Sequence, residues 1–303
     1  MYNEEVKREY LATVTKTADI ELRKIFDVTS CLEEDLKVDV ALLNNESLYV
    51  YFSQDERSFV SSPMFYGNLK RYLRNYRIWY NNNVTFCHIH DFDASQIDFT
   101  KLMKERVITL EDFIQVLKTK KINDVYGNYH IISLLRFCGL VTKEICYVKD
   151  SDVDLKNKTI KADRTYRIND KIAEIFKEYC SQKEVILTGL ATTPKIKTEY
   201  FVKKPSSNRE NKTGHISQAV SSIGAAKLKE TVKDKDIAVK INNGYIRLSG
   251  MMWQMKYYTE ELGYSINETL EEITSYKKES QYKREQVKIM KSMYEKYIQV
   301  YTG

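Results

Sequence analysis

No apolar run in this 303-residue sequence approaches the roughly 18 residues of a membrane-spanning helix. No membrane partner is therefore expected. The opening residues Tyr2-Asn3-Glu4-Glu5 lack the basic and apolar segments of a secretory leader. The five cysteines are odd in number and include no C-x-x-C pair. That argues against a disulfide framework or a cysteine zinc site, and for a reduced, cytoplasmic setting. The four histidines do not cluster with the cysteines. His88 and His90 lie beside Asp91 and Asp93, but four ligands so close together in a loop rarely share one coordination geometry. Neither a metal nor a cofactor is expected, and repeats and low-complexity tracts are absent.

The chain is long enough for two domains with cores of their own. Charged residues make up 30% and hydrophobic ones 43%, with a net charge of +6. This is ordinary globular composition with a mild basic excess, compatible with nucleic acid but not diagnostic of it.

Residues 1–83 pattern as an all-helical unit. Glu4 to Val14 is amphipathic, Thr17 to Phe26 follows with Thr17 as N-cap, and Leu42 to Phe52 has helical character. Ser61-Ser62-Pro63 is a start signal, since proline fits the first turn of a helix. The helix predicted from Met64 to Tyr80 carries an apolar stripe of Phe65, Leu69, Tyr72, Leu73, Tyr76, Trp79 and Tyr80. Lys70, Arg71, Arg74 and Arg77 fill the rest, and Lys70, Arg74 and Arg77 fall on one side. On an isolated helix such a face is most simply a solvated one.

Residues 84–101 lack periodicity and are predicted to be an interdomain linker. The second domain, 102–303, is expected to open with a capping box at Thr109-Leu110-Glu111-Asp112. An apolar helix through Ile131, Leu134, Leu135 and Cys138 follows, ended by Gly139 as a left-handed cap. Glu144-Ile145 begins a short helix. Thr159–Ala162 and Thr165–Ile168 are β-patterned and joined at Asp163-Arg164. Asp170 to Cys180 and Ile216 to Thr231 read as helices, and Val185–Leu187 and Tyr200–Val202 as short strands or buried turns. Residues 203–212 form a polar, basic loop containing Lys203, Lys204 and Arg209. A helix through Met252 to Leu262 is capped by Gly263, and a last amphipathic helix spans Gln281 to Tyr301. The expected class is mainly α with a small β-hairpin or sheet (α+β).

The order from Gly139-Leu140 through Glu144-Ile145, Ser151-Asp152-Val153-Asp154-Leu155, the strand at Lys161 and the strand at Ile168 resembles the start of the catalytic domain of tyrosine recombinases, the phage integrase family. Its typical run reads GLRxxELxxLxxxDIDLxxxxI. Further on, Gly244-Tyr245-Ile246-Arg247-Leu248 falls where that family carries a His-x-Leu-Arg-His box, at a strand-to-helix turn. The resemblance implies a two-domain DNA clamp, with residues 1–83 as the core-binding domain. It turns the basic helix of that domain into a candidate DNA contact through Lys70, Arg71, Arg74 and Arg77. In the second domain it nominates Lys161, Arg164, Lys203, Lys204, Arg209 and Arg247.

The chemistry of the family needs two guanidiniums on the nonbridging oxygens of a phosphodiester, a proton donor to the leaving 5′ oxygen, and a tyrosine nucleophile whose ordinary pKa is near 10. Against this pattern the chain has Val141 in place of the first arginine, and Gly244 and Leu248 in place of the box histidines. No histidine follows His215. Lys161 and Arg247 are candidate remnants. Tyr282 is the nucleophile by position alone, one tyrosine among 23. Losing one preorganised donor costs on the order of 10²–10³ in rate. The expectation is therefore a recombinase relative without strand transfer that binds double-stranded operator DNA as a transcriptional repressor. Its overall pattern is similar to that of recombinase-like master repressors of SPbeta-type prophages, which implies control of lytic genes in a bacterial host. Self-association through the C-terminal helix, or a small regulatory protein, would complete such a system. The alternative is an active recombinase using Arg164 or Arg167 as first clamp and Tyr282 as nucleophile.

Overall fold

The computed structural model describes residues 2–118, 127–186, 192–194, 198–203, 215–274 and 281–302. Helices dominate, joined by one small three-stranded sheet and one two-stranded ribbon. The first helices are α1 (Glu4–Leu11), α2 (Lys16–Leu36), α3 (Asn45–Gln54), α4 (Pro63–Asn83) and α5 (Thr100–Arg106). Caps set their starts. Thr15 rather than Thr17 caps α2, its hydroxyl accepting the Ala18 N–H, and Asn44 caps α3 by accepting from Ser47. Those two polar side chains satisfy amides that otherwise lack partners, which is why α2 begins earlier and α3 later than apolar spacing suggests. Pro63 stands in the first turn of α4, and the predicted stripe is buried along Phe65, Leu69, Tyr72, Leu73, Tyr76 and Tyr80.

The second part of the chain holds α6 (Leu110–Lys118), α7 (Asn128–Phe137), α8 (Thr142–Tyr147) and the strands β1 (Val153–Asp154), β2 (Thr159–Lys161) and β3 (Thr165–Arg167). It continues with α9 (Asp170–Ser181), β4 (Glu184–Ile186), β5 (Thr192–Pro194), α10 (Gln218–Lys229), α11 (Lys235–Ala238), α12 (Asn243–Lys256), α13 (Ile266–Thr274) and α14 (Gln281–Tyr301). Thr109 caps α6 as its sequence predicts, accepting from the Asp112 N–H at 3.1 Å while its hydroxyl donates to the Asp112 carboxylate. β2 and β3 form the expected antiparallel hairpin with Ile160 opposite Tyr166, and β1 adds a third strand on the β2 edge. A π-helical turn, 257–261, closes α12 before Gly263, whose φ of 72° ends the helix.

The chain divides into two compact units, Met1–Lys104 with Lys277–Gly303, and Glu105–Tyr276. Two expectations change here. The stretch 84–101 is not a bare linker: Cys87, Phe92, Ala94, Ile97 and Phe99 are buried. Phe92 stacks on Tyr49 at 4.9 Å, and the Asp98 N–H donates to Ser53. Its buried residues follow no helix or strand period because the backbone is irregular, so periodicity does not reveal them. The final helix α14 belongs to the first unit, not the second. It lays Ile289, Met290, Met293, Tyr294 and Tyr297 into that core. Gly67 on α4 admits it, since a Cβ there would lie 3.2 Å from Gln286 Cγ. Sequence shows that one face of α14 is apolar but not which face it meets.

The centre of the first unit is polar. Lys7 Nζ lies 2.6 Å from both Glu33 carboxylate oxygens, with both side chains fully buried. Glu33 also accepts from the Val40 N–H and the Thr29 hydroxyl. Burial raises the pKa of Glu33, and the Lys7 charge pulls it part of the way back. Asp39, beside it, accepts from the Tyr76 hydroxyl, the Asn3 amide and the Ala41 N–H. In the second unit α12 passes close to α7, where a Cβ on Gly250 would stand 1.7 Å from the Phe137 carbonyl oxygen.

Two stability predictions follow from these contacts. Glu33→Gln leaves the Lys7 ammonium buried without its counter-charge and should cost about 3–5 kcal/mol, read by urea unfolding followed at Trp79. Gly250→Ala drives a methyl into backbone that cannot swing away and should cost at least about 2–3 kcal/mol, read by thermal unfolding followed at Trp253. A midpoint unchanged from wild type in either variant would refute the corresponding packing argument.

Candidate nucleic-acid interface

The residues that carry the resemblance are held by one turn and one carboxylate. Gly139 has a φ of 103°. Its N–H donates to the Arg136 carbonyl, and the Leu140 N–H reaches back to the Leu135 carbonyl at 3.1 Å, a Schellman closure that buries Leu140. Val141 then caps α8, its own N–H donating to Glu144 Oε2 at 2.7 Å. Glu144 also accepts from the Asp163 N–H at 3.2 Å and from the Tyr166 hydroxyl at 2.8 Å. The glutamate of the Gly-Leu-x-x-x-Glu-Ile run therefore ties the turn to the β2–β3 hairpin. Burial, foremost, pushes the Tyr166 phenol up to about 12, and the adjacent Glu144 carboxylate works in the same direction against the Arg164 charge.

Arg164 lies over the Tyr166 ring at 4.3 Å and donates through Nη1 to the Glu272 carbonyl at 2.7 Å. Its guanidinium also rests against Gly139, where a Cβ would be 3.2 Å from Nη2. It is thus a packed and bonded arginine at the hairpin turn. Lys161 and Arg167 project from the hairpin and are exposed.

The counterpart of the family's box is helical throughout. Residues 243–248 open α12, capped by Asn242 accepting from the Tyr245 N–H, and the element directly before them is the helix α11 rather than a strand. Leu248 is buried and Gly244 half-buried, while Arg247 is exposed. Across from it, Arg136 near the end of α7 is only 5% exposed. Its Nη2 donates to the Ser221 carbonyl on α10 at 3.0 Å, and both terminal nitrogens make only long, 3.4 Å contacts to the Thr142 hydroxyl. Arg136 Nε has no acceptor. Burial lowers the pKa of Arg136, the nearby positive charge of Arg247 lowers it further, and the Cys146 thiol works the other way; no carboxylate among the described residues joins it. Sequence reasoning passed over Arg136 because it reads as an ordinary polar position in an apolar helix. The missing signal is three-dimensional: the elements around it bring it no acidic residue.

In the first unit the predicted basic face of α4 divides. Arg71 is exposed, packs 4.5 Å over the Tyr72 ring and donates to its hydroxyl. Arg74 is exposed and faces Asp91 at 3.3 Å. Lys70 is half-buried. Arg77 is not on this surface at all. It is fully buried and donates to the Leu43 carbonyl, the His90 carbonyl and Asn45 Oδ1 at 2.7, 2.8 and 3.0 Å. Spacing places it beside Arg74 on the helix. The irregular stretch 84–93 folds over that position and turns a would-be DNA contact into a brace. Burial lowers its pKa.

Lys203 is likewise engaged, its ammonium donating to Asp150 and to the Thr198 carbonyl with a side chain only 16% exposed. Lys204 and Arg209 lie outside the described residues, as does the side chain of Tyr282 on α14. The stretch Ile273-Thr274-Ser275-Tyr276, the counterpart of a further family box, is described only through Thr274. Among the described residues no three His, Cys, Asp or Glu side chains converge as a metal site would require, and no helix is long and apolar enough to cross a membrane. All five thiols are free. No protein-family model and no curated protein sequence matches the chain.

Removing the brace has a defined outcome. Arg77→Ala orphans the buried Leu43 carbonyl, removes the bond to the His90 carbonyl and frees 84–93, so chymotrypsin should cut at Phe86, already 70% exposed, several-fold faster than in wild type, as local opening governs cleavage. Unchanged cleavage, followed by mass spectrometry of the fragments, would show that Arg77 does not hold that segment.

Proposed function

We propose that the protein binds double-stranded DNA in a sequence-specific way, without cutting it, and acts as a transcriptional repressor descended from a tyrosine recombinase. Each unit contributes contacts: the first through Lys70, Arg71 and Arg74 on α4, the second through Lys161 on the hairpin and Arg247 on α12. The observation that carries the reading is Arg247, an exposed guanidinium with no carboxylate partner among the described residues, beside a second arginine equally without one. Fixed, uncompensated cations on a helix are what a phosphate backbone recruits, since each neutralised phosphate releases condensed counterions.

Three side chains support a binding role over a cutting one. Val141 offers no donor at the turn where strand transfer needs an arginine. Gly244 and Leu248 have no group that could move a proton, and Leu248 faces the core. Oxyanion binding survives such losses, whereas acid–base chemistry does not. Occupancy of a site is the use left for a DNA reader that does not cut, hence repression, with lytic genes of a prophage as the regulated set that the resemblance implies.

Native gels with fragments of the source genome test the reading. Arg74→Ala and Arg247→Ala should each weaken specific binding by about 1–3 kcal/mol and reduce the salt slope by about 1, while Tyr282→Phe leaves it unchanged. A denaturing gel of the same mixtures should show no protein–DNA adduct. An adduct abolished by Tyr282→Phe would establish the recombinase alternative, and unchanged affinity in both arginine variants would remove the assigned surface.

A further inference from the structure

Arg136 is the most unusual charge in the second unit. A guanidinium has five N–H donors and no means of losing its proton, so burial without an acid is costly unless something else supplies acceptors. Arg77 is buried too and its Nε is likewise unmet, but two carbonyls and an amide oxygen meet its terminal nitrogens at 2.7–3.0 Å. Arg136 has one acceptor at such a distance, the Ser221 carbonyl, with Nε unmet and the remaining contacts at 3.4 Å. Around it, among the described residues, stand neutral groups, the hydroxyls of Thr142 and Ser221 and the Cys146 thiol beside Ser221, and a second cation, Arg247. Asn243, one turn before Arg247 on α12, is fixed to the Ser222 carbonyl through its amide nitrogen and so joins α12 to α10 at the same place.

We propose that Arg136, the hydroxyls of Thr142 and Ser221, and Arg247 form an oxyanion pocket that takes a tetrahedral phosphate. The resemblance assigns no cation to position 136, and the turn it does single out ends in Val141. The chemistry follows from the donor set. The repulsion between two guanidiniums is relieved when an anion lies between or against them. A phosphate presents acceptors enough to meet Nε, the long Nη contacts and a hydroxyl at once. The phosphate has two sources, the backbone of a duplex or a free phosphorylated compound. As a DNA contact the pocket rests on the proposed function; as an anion site it does not.

The test uses the full chain, ¹⁵N-labelled on arginine, titrated with inorganic phosphate against chloride at matched ionic strength. The Arg136 Nε–H resonance should move saturably with phosphate only. Arg247→Gln, an exposed position that leaves the fold intact, should weaken that response by about tenfold or more. Arg136→Lys keeps the charge and loses the fork, and should weaken phosphate-dependent stabilisation in thermal unfolding to a similar extent. Arg23→Gln, on α2 in the first unit, serves as the control and should change nothing.

An Nε–H that ignores phosphate overturns the pocket, as does a response untouched by Arg247→Gln. Should Arg136→Lys fail to fold, the Nε–H titration with Arg247→Gln decides alone. Duplex DNA separates the two sources. If bound DNA abolishes the phosphate response, the pocket holds a backbone phosphodiester. If phosphate still binds the DNA complex, it holds a separate phosphorylated ligand. Specific DNA binding with no phosphate response sinks the pocket and spares the proposed function, and a phosphate response in a protein that binds no DNA does the reverse.

Discussion

The carboxylate of Glu144 accepts from the cap of α8, the turn of the hairpin and the phenol of Tyr166. Two of these donors lie on the β2–β3 hairpin and the third in the turn after α7, so one carboxylate bonds the two parts of the chain together. With them fixed, Gly139 can close its turn, α7 ends where Arg136 meets α10, and the hairpin is set against the start of α8. A charged acceptor shared by three donors in a low-dielectric interior is stronger than three separate bonds in water. Losing it would orphan all three donors together. The short helix and the three-residue strands on either side are too small to hold their own geometry. They depend on this junction for it.

Much of the architecture is legible in the chain because local chemistry agrees with the final fold. Pro63 starts α4, Thr109 caps α6, Gly139 and Gly263 adopt left-handed conformations, and alternation around Asp163-Arg164 gives a hairpin. What stays hidden is non-local. Nothing in 84–99 announces that Phe92 and Phe99 are buried, since irregular backbone carries no period. Arg77 and Arg74 look alike in sequence, and only the carbonyls of Leu43 and His90 separate them. The candidate site follows the same division. Arg247 is found by its place in a motif and Arg164 by its place in a turn, whereas Arg136 stands out only once its neighbours in space are known to lack an acid.

The buried ionic groups sort into two physical kinds. Lys7 with Glu33, and Arg77 with its carbonyls, are sets whose terminal nitrogens are met at 2.6–3.0 Å. Such sets fix one arrangement of the surrounding chain without offering anything to a ligand. Arg136 with Arg247 is an open set. Its unmet nitrogen and mutual repulsion are tolerable in the folded protein only as a small part of a large balance. Residues of the same type thus serve as braces in one unit and as unspent binding capacity in the other.

The return of α14 to the first unit makes Glu105–Tyr276 an insertion within that unit rather than its successor. On a ribosome the inserted unit is complete before the helix that closes the first core has been synthesised. The N-terminal helices must therefore wait, with the face of α4 around Gly67 uncovered, while more than half of the chain is made and folded behind them. Closing that gap also carries the loop entropy of bringing together ends that lie far apart in sequence, a cost eased once the inserted unit has condensed. Order of synthesis and order of assembly thereby part company in the first unit: the face of α4 around Gly67 is made early and covered last.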